Sequence, residues 1–143
     1  VDTRPPLGFD TEEKLLLRPF SFYTRCFTLP DLFAGKMHAL LFRKWKNRVK
    51  GRDWFDMEWY IKNKTPLNLN HFLARAKDSG DWENENISES EFMNLLLNKI
   101  DSVSFKNIRE DIIRFIPDDS IVNIWSAGYF KDLVTHIRFK ENG

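Results

Sequence analysis

The sequence predicts an α+β chain, a small β element followed by a mostly α-helical bundle. Two observations carry this. From Arg18 to Leu29, "RPFSFYTRCFTL", aromatic and β-branched residues alternate with period two: Phe20, Phe22, Thr24, Cys26 and Thr28 share one face, and Ser21, Tyr23, Arg25, Phe27 and Leu29 the other. After Pro30 the period changes, and apolar residues recur at helical spacing to the end of the chain. With 143 residues, 42% hydrophobic and 15% aromatic, the chain can bury one domain-sized core.

The elements follow in order. Val1–Thr3 reads as the tail of a strand, and Pro5, Pro6 and Gly8 then force turn or extended backbone. Leu32, Phe33, Lys36, Met37, Leu40, Leu41 and Lys44 predict a helix from about Pro30 to Trp45. A basic loop ends at Gly51. A second helix, roughly Arg52–Lys62, carries Trp54, Phe55, Trp59, Tyr60 and Ile61 as mostly buried residues, and Thr65-Pro66 stops it. A short helix covers Asn70–Lys77, and "DSGDWENEN" is a loop. Ser88 with Glu91 is a capping-box signature opening the next helix. Another spans about Ser104–Phe115 with Phe105, Ile108, Ile112 and Phe115 on one stripe. Ile121–Ile137 forms a last helix, or two with a break near Gly128.

Several classes are excluded. One cysteine, Cys26, allows neither an internal disulfide nor a cysteine-built zinc site, and mid-strand it reads as a buried thiol. His38, His71 and His136 match no metal spacing. There is no GxGxxG and no P-loop. No apolar run approaches the roughly 20 residues of a membrane helix. The opening "VDTRPPLGFD" lacks the basic and apolar regions of a signal peptide. The expected location is the cytoplasm. A chain that opens on a strand tail without an initiator methionine is expected to be a piece of a longer protein.

Net charge is only +1, but six of the ten residues in "RKWKNRVKGR", Arg43–Arg52, are Lys or Arg. Such a stripe suits a localised phosphate-binding surface, or equally a solvated turn. Lys36 and Arg43 lie two turns apart on one helix face. Lys36 reads either as a solvated side chain on that helix or, given its small and apolar neighbours, as a residue near the core with its ammonium directed into a cleft. Asp53 and Asp56 share a face of the next helix, with Tyr60 one turn on. Asp53 as N-cap and Asp56 serving the helix dipole is one reading. Carboxylates fixed by a deeply anchored helix, fit for general-base or metal-orienting work, is the other. Lys36, Arg43, Asp53 and Asp56 are expected to converge on one cleft.

The stretch "LPDLFAGKMHALLFRKWKNRVKGRDWFDMEWYI", Leu29–Ile61, resembles the AbiEii/AbiGii-type toxin family of nucleotidyltransferases. These are the toxins of bacterial abortive-infection (phage-defence) toxin–antitoxin pairs. The resemblance implies that residues 1–29 end a polymerase-β-like nucleotidyltransferase sheet and that residues 30–143 form a helical domain carrying a lysine motif, "AGKMHALLFR", and an acidic motif, "RDWFD". It implies catalytic roles for Lys36, Asp53 and Asp56, and phosphate binding by Lys36, Arg43 and Arg52. It further implies RNA contacts from Lys44, Lys46, Arg48 and Lys50, and a metal-ligand role for Asp2. The implied activity is transfer of an NMP from an NTP to an RNA acceptor, with tRNA the leading case. Mg²⁺ would be the cofactor in the complete protein, and a cognate antitoxin the protein partner, in the bacterial cytoplasm. The family's Gly-Ser loop and DxD pair do not occur in these 143 residues. The chain alone is therefore expected to be an incomplete, inactive C-terminal part. The alternative reading is a non-catalytic helical binding module for RNA or a cognate antitoxin.

Overall fold

A computed structural model describes residues 28–43 and 51–141, apart from the side chain of Asp119. The predicted strand at Arg18–Leu29 lies outside them but for its last two residues, as do Asp2, Cys26, Lys44, Lys46, Arg48 and Lys50. The described residues are mostly helical: α1 Leu29–Phe42, α2 Gly51–Lys62, α3 Leu69–Asp78, α4 Glu89–Ser102, α5 Phe105–Ile113, a 3-10 turn Asp119–Val122, and α6 Ala127–Val134. They contain no strand, only an isolated parallel bridge between Leu67 and Phe139. None of these helices is long and apolar enough to cross a membrane.

Local chemistry sets the helix ends. Pro30 sits in the first turn of α1, where a missing N–H goes unmissed. Leu29 is already helical, and Arg43 is extended (φ −72°, ψ 135°), so α1 starts one residue before the predicted helix and stops at Phe42 rather than Trp45. Helix α2 ends in a Schellman motif. The Thr65 N–H donates to the Tyr60 carbonyl at 3.1 Å and the Lys64 N–H to that of Ile61 at 3.0 Å. This puts Lys64 at φ 59°, the left-handed region that favours glycine. The predicted capping box is complete: Ser88 N–H donates to Glu91 Oε1 at 2.8 Å, and Glu91 N–H to Ser88 Oγ at 3.0 Å. Side chains of Asn68, Ser104 and Ser126 cap α3, α5 and α6.

Two expectations change near the C-terminal end. Phe115 is 57% exposed rather than part of the buried stripe; α5 has ended at Ile113, and Ile116 takes the buried place at 8%. The break in the last helical segment falls before Ser126, the N-cap of α6, and Gly128 lies inside that helix.

Helix α2 is the centre of the packing. It meets α1 on one side and α5 and α6 on the other, while α1 also packs on α3, and α4 on α6. Nine of its twelve residues are buried. Trp54 lies edge-on to Phe105 (5.2 Å) and Phe130 (5.3 Å), joining α2 to α5 and α6. Tyr60 stacks on Phe33 of α1 at 4.8 Å. Gly51 opens α2 hard against α5. A Cβ there would stand 2.6 Å from the Ile108 carbonyl oxygen and 2.8 Å from Ile112 Cβ.

Two stability predictions follow from these contacts. In an open helix, Gly→Ala gains up to about 1 kcal/mol. At Gly51 the overlap with backbone reverses the sign, and Gly51→Ala should cost about 1–3 kcal/mol in urea unfolding. Lys64→Gly relieves a left-handed lysine and should add about 1 kcal/mol in the same measurement.

Candidate active site

Phe33, Met37 and Leu40 form the buried stripe of α1, and Lys36 lies on its flank toward α2. Its side chain is 23% exposed, and its Nζ lies 3.0 Å from Asp53 Oδ1 and 3.0 Å from Asp56 Oδ2. Arg52, one turn before Asp56, donates through Nε to Asp56 Oδ1 at 3.0 Å. Asp56, 2% exposed, thus has a cation on each oxygen. A carboxylate buried that deeply is tolerable only with such partners.

Asp53 is therefore not an N-cap. It is the third residue of α2, and its carboxylate reaches across to α1. The N-terminus of α2 is served instead by Asp111 of α5, whose Oδ2 accepts the Gly51 N–H at 2.7 Å. Sequence spacing gave no sign of Asp111, sixty residues away.

Burial works against the Lys36 charge, but Asp56 and then Asp53 more than offset it, and its pKa rises above the ordinary lysine value. Lys36 is a fixed cation, not a neutral-pH base. Burial, with help from the Asp56 charge, pushes the Tyr60 hydroxyl well above its usual range, so it stays protonated.

The structure thus brings Lys36, Arg52, Asp53 and Asp56 together. Arg43 closes α1 as an exposed residue whose charge is felt at His38. The Arg43 φ of −72° is still helical and its N–H donates to the Ala39 carbonyl at 3.0 Å, so the chain turns away only after it. Among the described residues no group of three or more His, Cys, Asp or Glu is placed to hold a metal ion. Asp53 and Asp56, bound to Lys36 and Arg52, do not fit a divalent-ion site as they stand.

Two other polar clusters belong to the frame. His38 Nε2 lies 3.0 Å from Ser79 Oγ and 3.3 Å from Asp81 Oδ2. Hydroxyl and carboxylate share one ring nitrogen, whereas a hydrolase triad needs them on opposite nitrogens. Buried Glu58 accepts from Trp125 Nε1 at 3.2 Å and from the Tyr129 hydroxyl, tying α2 to α6.

The family model described as "Nucleotidyl transferase AbiEii toxin, Type IV TA system" matches residues 1–133. The chain belongs to the AbiEii family. That family is described as the nucleotidyl transferase toxins of type IV toxin–antitoxin systems. Neither the curated proteins nor the solved structures gave a match.

Replacing Lys36 by Met would leave Asp56 buried with one partner fewer. The cost should be about 3 kcal/mol, the low end for a broken buried pair because Lys36 keeps some solvent. Because the folded pKa of Lys36 is raised, its contribution is full below the unfolded value of 10.5 and fades as pH rises through the folded value. Urea unfolding from pH 7 to 11 should show that loss in the wild type, and Lys36→Met should be flatter at the alkaline end.

Proposed function

We propose that these residues form the triphosphate-handling part of a toxin nucleotidyltransferase that transfers an NMP from an NTP to an RNA acceptor, a tRNA end above others. The observation that carries this reading is the Lys36 ammonium held between Asp53 and Asp56 with Arg52 alongside. In it, Lys36 and Arg52 offer preorganised positive charge to the phosphates, and the two aspartates hold that charge in place. Arg43 and the run Lys44, Lys46, Arg48 and Lys50 hold the RNA backbone. Residues 30–143 are the helical domain and residues 1–29 the end of the catalytic sheet. The reading places the protein in the bacterial cytoplasm, in phage defence, beside a cognate antitoxin. Mg²⁺ belongs to the complete protein, which supplies the DxD carboxylates, and none of the described carboxylates is assigned to it. The absence of a DxD pair from these 143 residues favours a second reading for the chain alone, a helical module that binds RNA or the antitoxin without chemistry.

The test uses labelled NTPs, Mg²⁺ and tRNA. The 143-residue chain should transfer no label. The complete protein should transfer it, and Lys36→Ala should lower that rate at least about tenfold. Transfer by the chain alone would show the chemistry complete within it, and an unaffected Lys36→Ala enzyme would remove this site from the reaction. RNA binding by the chain should fall steeply between about 50 and 200 mM salt. A flat salt profile would return the basic run to a solvated turn.

A further inference from the structure

We propose that Asp111 is a positioning residue for this site, acting through the first turn of α2 on the Lys36–Asp53 contact. The proposal rests on reading that contact as part of the phosphate-handling site. Ile108, Asp111 and Ile112 lie three and four residues apart, on one face of α5. All three meet Gly51. The Ile108 carbonyl and the Ile112 side chain would crowd any Cβ on it, and Asp111 Oδ2 takes its N–H at 2.7 Å. The Asp111 side chain is only 10% exposed, and its Oδ1 faces Arg114 Nη2 at 3.4 Å. A buried carboxylate at a helix N-terminus is also favoured by the helix dipole.

These contacts fix both the height and the rotation of α2 at its first residue. Asp53 stands two residues further along. A slide of one residue, about 1.5 Å, would be enough to break a 3.0 Å contact between Asp53 Oδ1 and Lys36 Nζ. The glycine lets the two helices touch, and the carboxylate selects where they touch. Asp111 meets Gly51 and Arg114, and through the first of these it acts on the placement of α2.

The test reads Lys36 directly. Pulse acetylation of the full chain at pH 9, followed by mass spectrometry, reports the free-amine fraction of Lys36, which changes tenfold for each unit of its pKa. Asp111→Ala removes the acceptor and the charge. Asp111→Asn removes the charge but keeps an acceptor oxygen for the Gly51 N–H. Ser104→Ala removes a cap of α5 that does not touch α2, and serves as the stability control. Lys36 should react about three- to tenfold faster in Asp111→Ala and within about twofold of wild type in Asp111→Asn and Ser104→Ala. Equal acceleration in the Ala and Asn variants would mean that only charge matters. No acceleration in Asp111→Ala, despite a melting loss like that of Ser104→Ala, would make Asp111 a plain cap. Either result overturns the proposal. Should Asp111→Ala not fold, Asp111→Glu takes its place: it keeps the charge and moves the acceptor by one methylene, so Lys36 should still react faster, and an unchanged rate would overturn the proposal. The readout needs no nucleotide transfer, so its failure is distinct from failure of the nucleotidyltransferase reading.

Discussion

A helix buried on nearly every side must find counter-charges inside the protein, and α2 carries three carboxylates into the interior. Asp53, Asp56 and Glu58 are 7%, 2% and 5% exposed. Asp53 and Asp56 share one cation, and Asp56 and Glu58 have further partners of their own. Lys36 comes from α1, Arg52 from the turn before, and Trp125 and Tyr129 from the segment leading into α6 and from α6 itself. Because burying an unpaired carboxylate is so costly, these partners specify where the neighbouring helices can sit. The aromatic packing of Trp54 and Tyr60 supplies bulk stabilisation, while the polar contacts fix register.

The same constraint produces the site. An ammonium pinned between two carboxylates is rigid, charged and only partly exposed. Such a group can meet an incoming phosphate without reorganising, which is what electrostatic preorganisation requires. The cluster is close to neutral, with Lys36 and Arg52 against Asp53 and Asp56, so it offers geometry more than net charge. Net positive charge lies in the sequence run Arg43–Arg52, where six of ten residues are Lys or Arg.

Much of this was legible in the sequence where the signals are local. The capping box at Ser88, the helical spacing after Pro30, and the burial of Trp54, Phe55, Tyr60 and Ile61 all follow from residues a few places apart. The misses are of two kinds. Helix ends at Phe42 and Ser126 are set by backbone geometry that propensities bound loosely. The role of Asp53 depended on what stood opposite it. A carboxylate in a first turn can cap its own helix or reach another, and only the packing of α1 decides. Asp111 was invisible for the same reason, since its partner is a backbone N–H brought close by tertiary packing.

The central claim is that Lys36 and Asp56 depend on each other across the α1–α2 contact. A double-mutant cycle on urea unfolding tests it most directly, using Lys36→Met, Asp56→Asn and the pair. Independent sites add within about 0.5 kcal/mol, whereas residues in one ion-pair network couple more strongly. The account predicts a coupling of at least about 1.5 kcal/mol, with the double variant more stable than the sum of the single losses would allow. Additive losses would contradict it, because they would mean that each charge is held by something other than its partner.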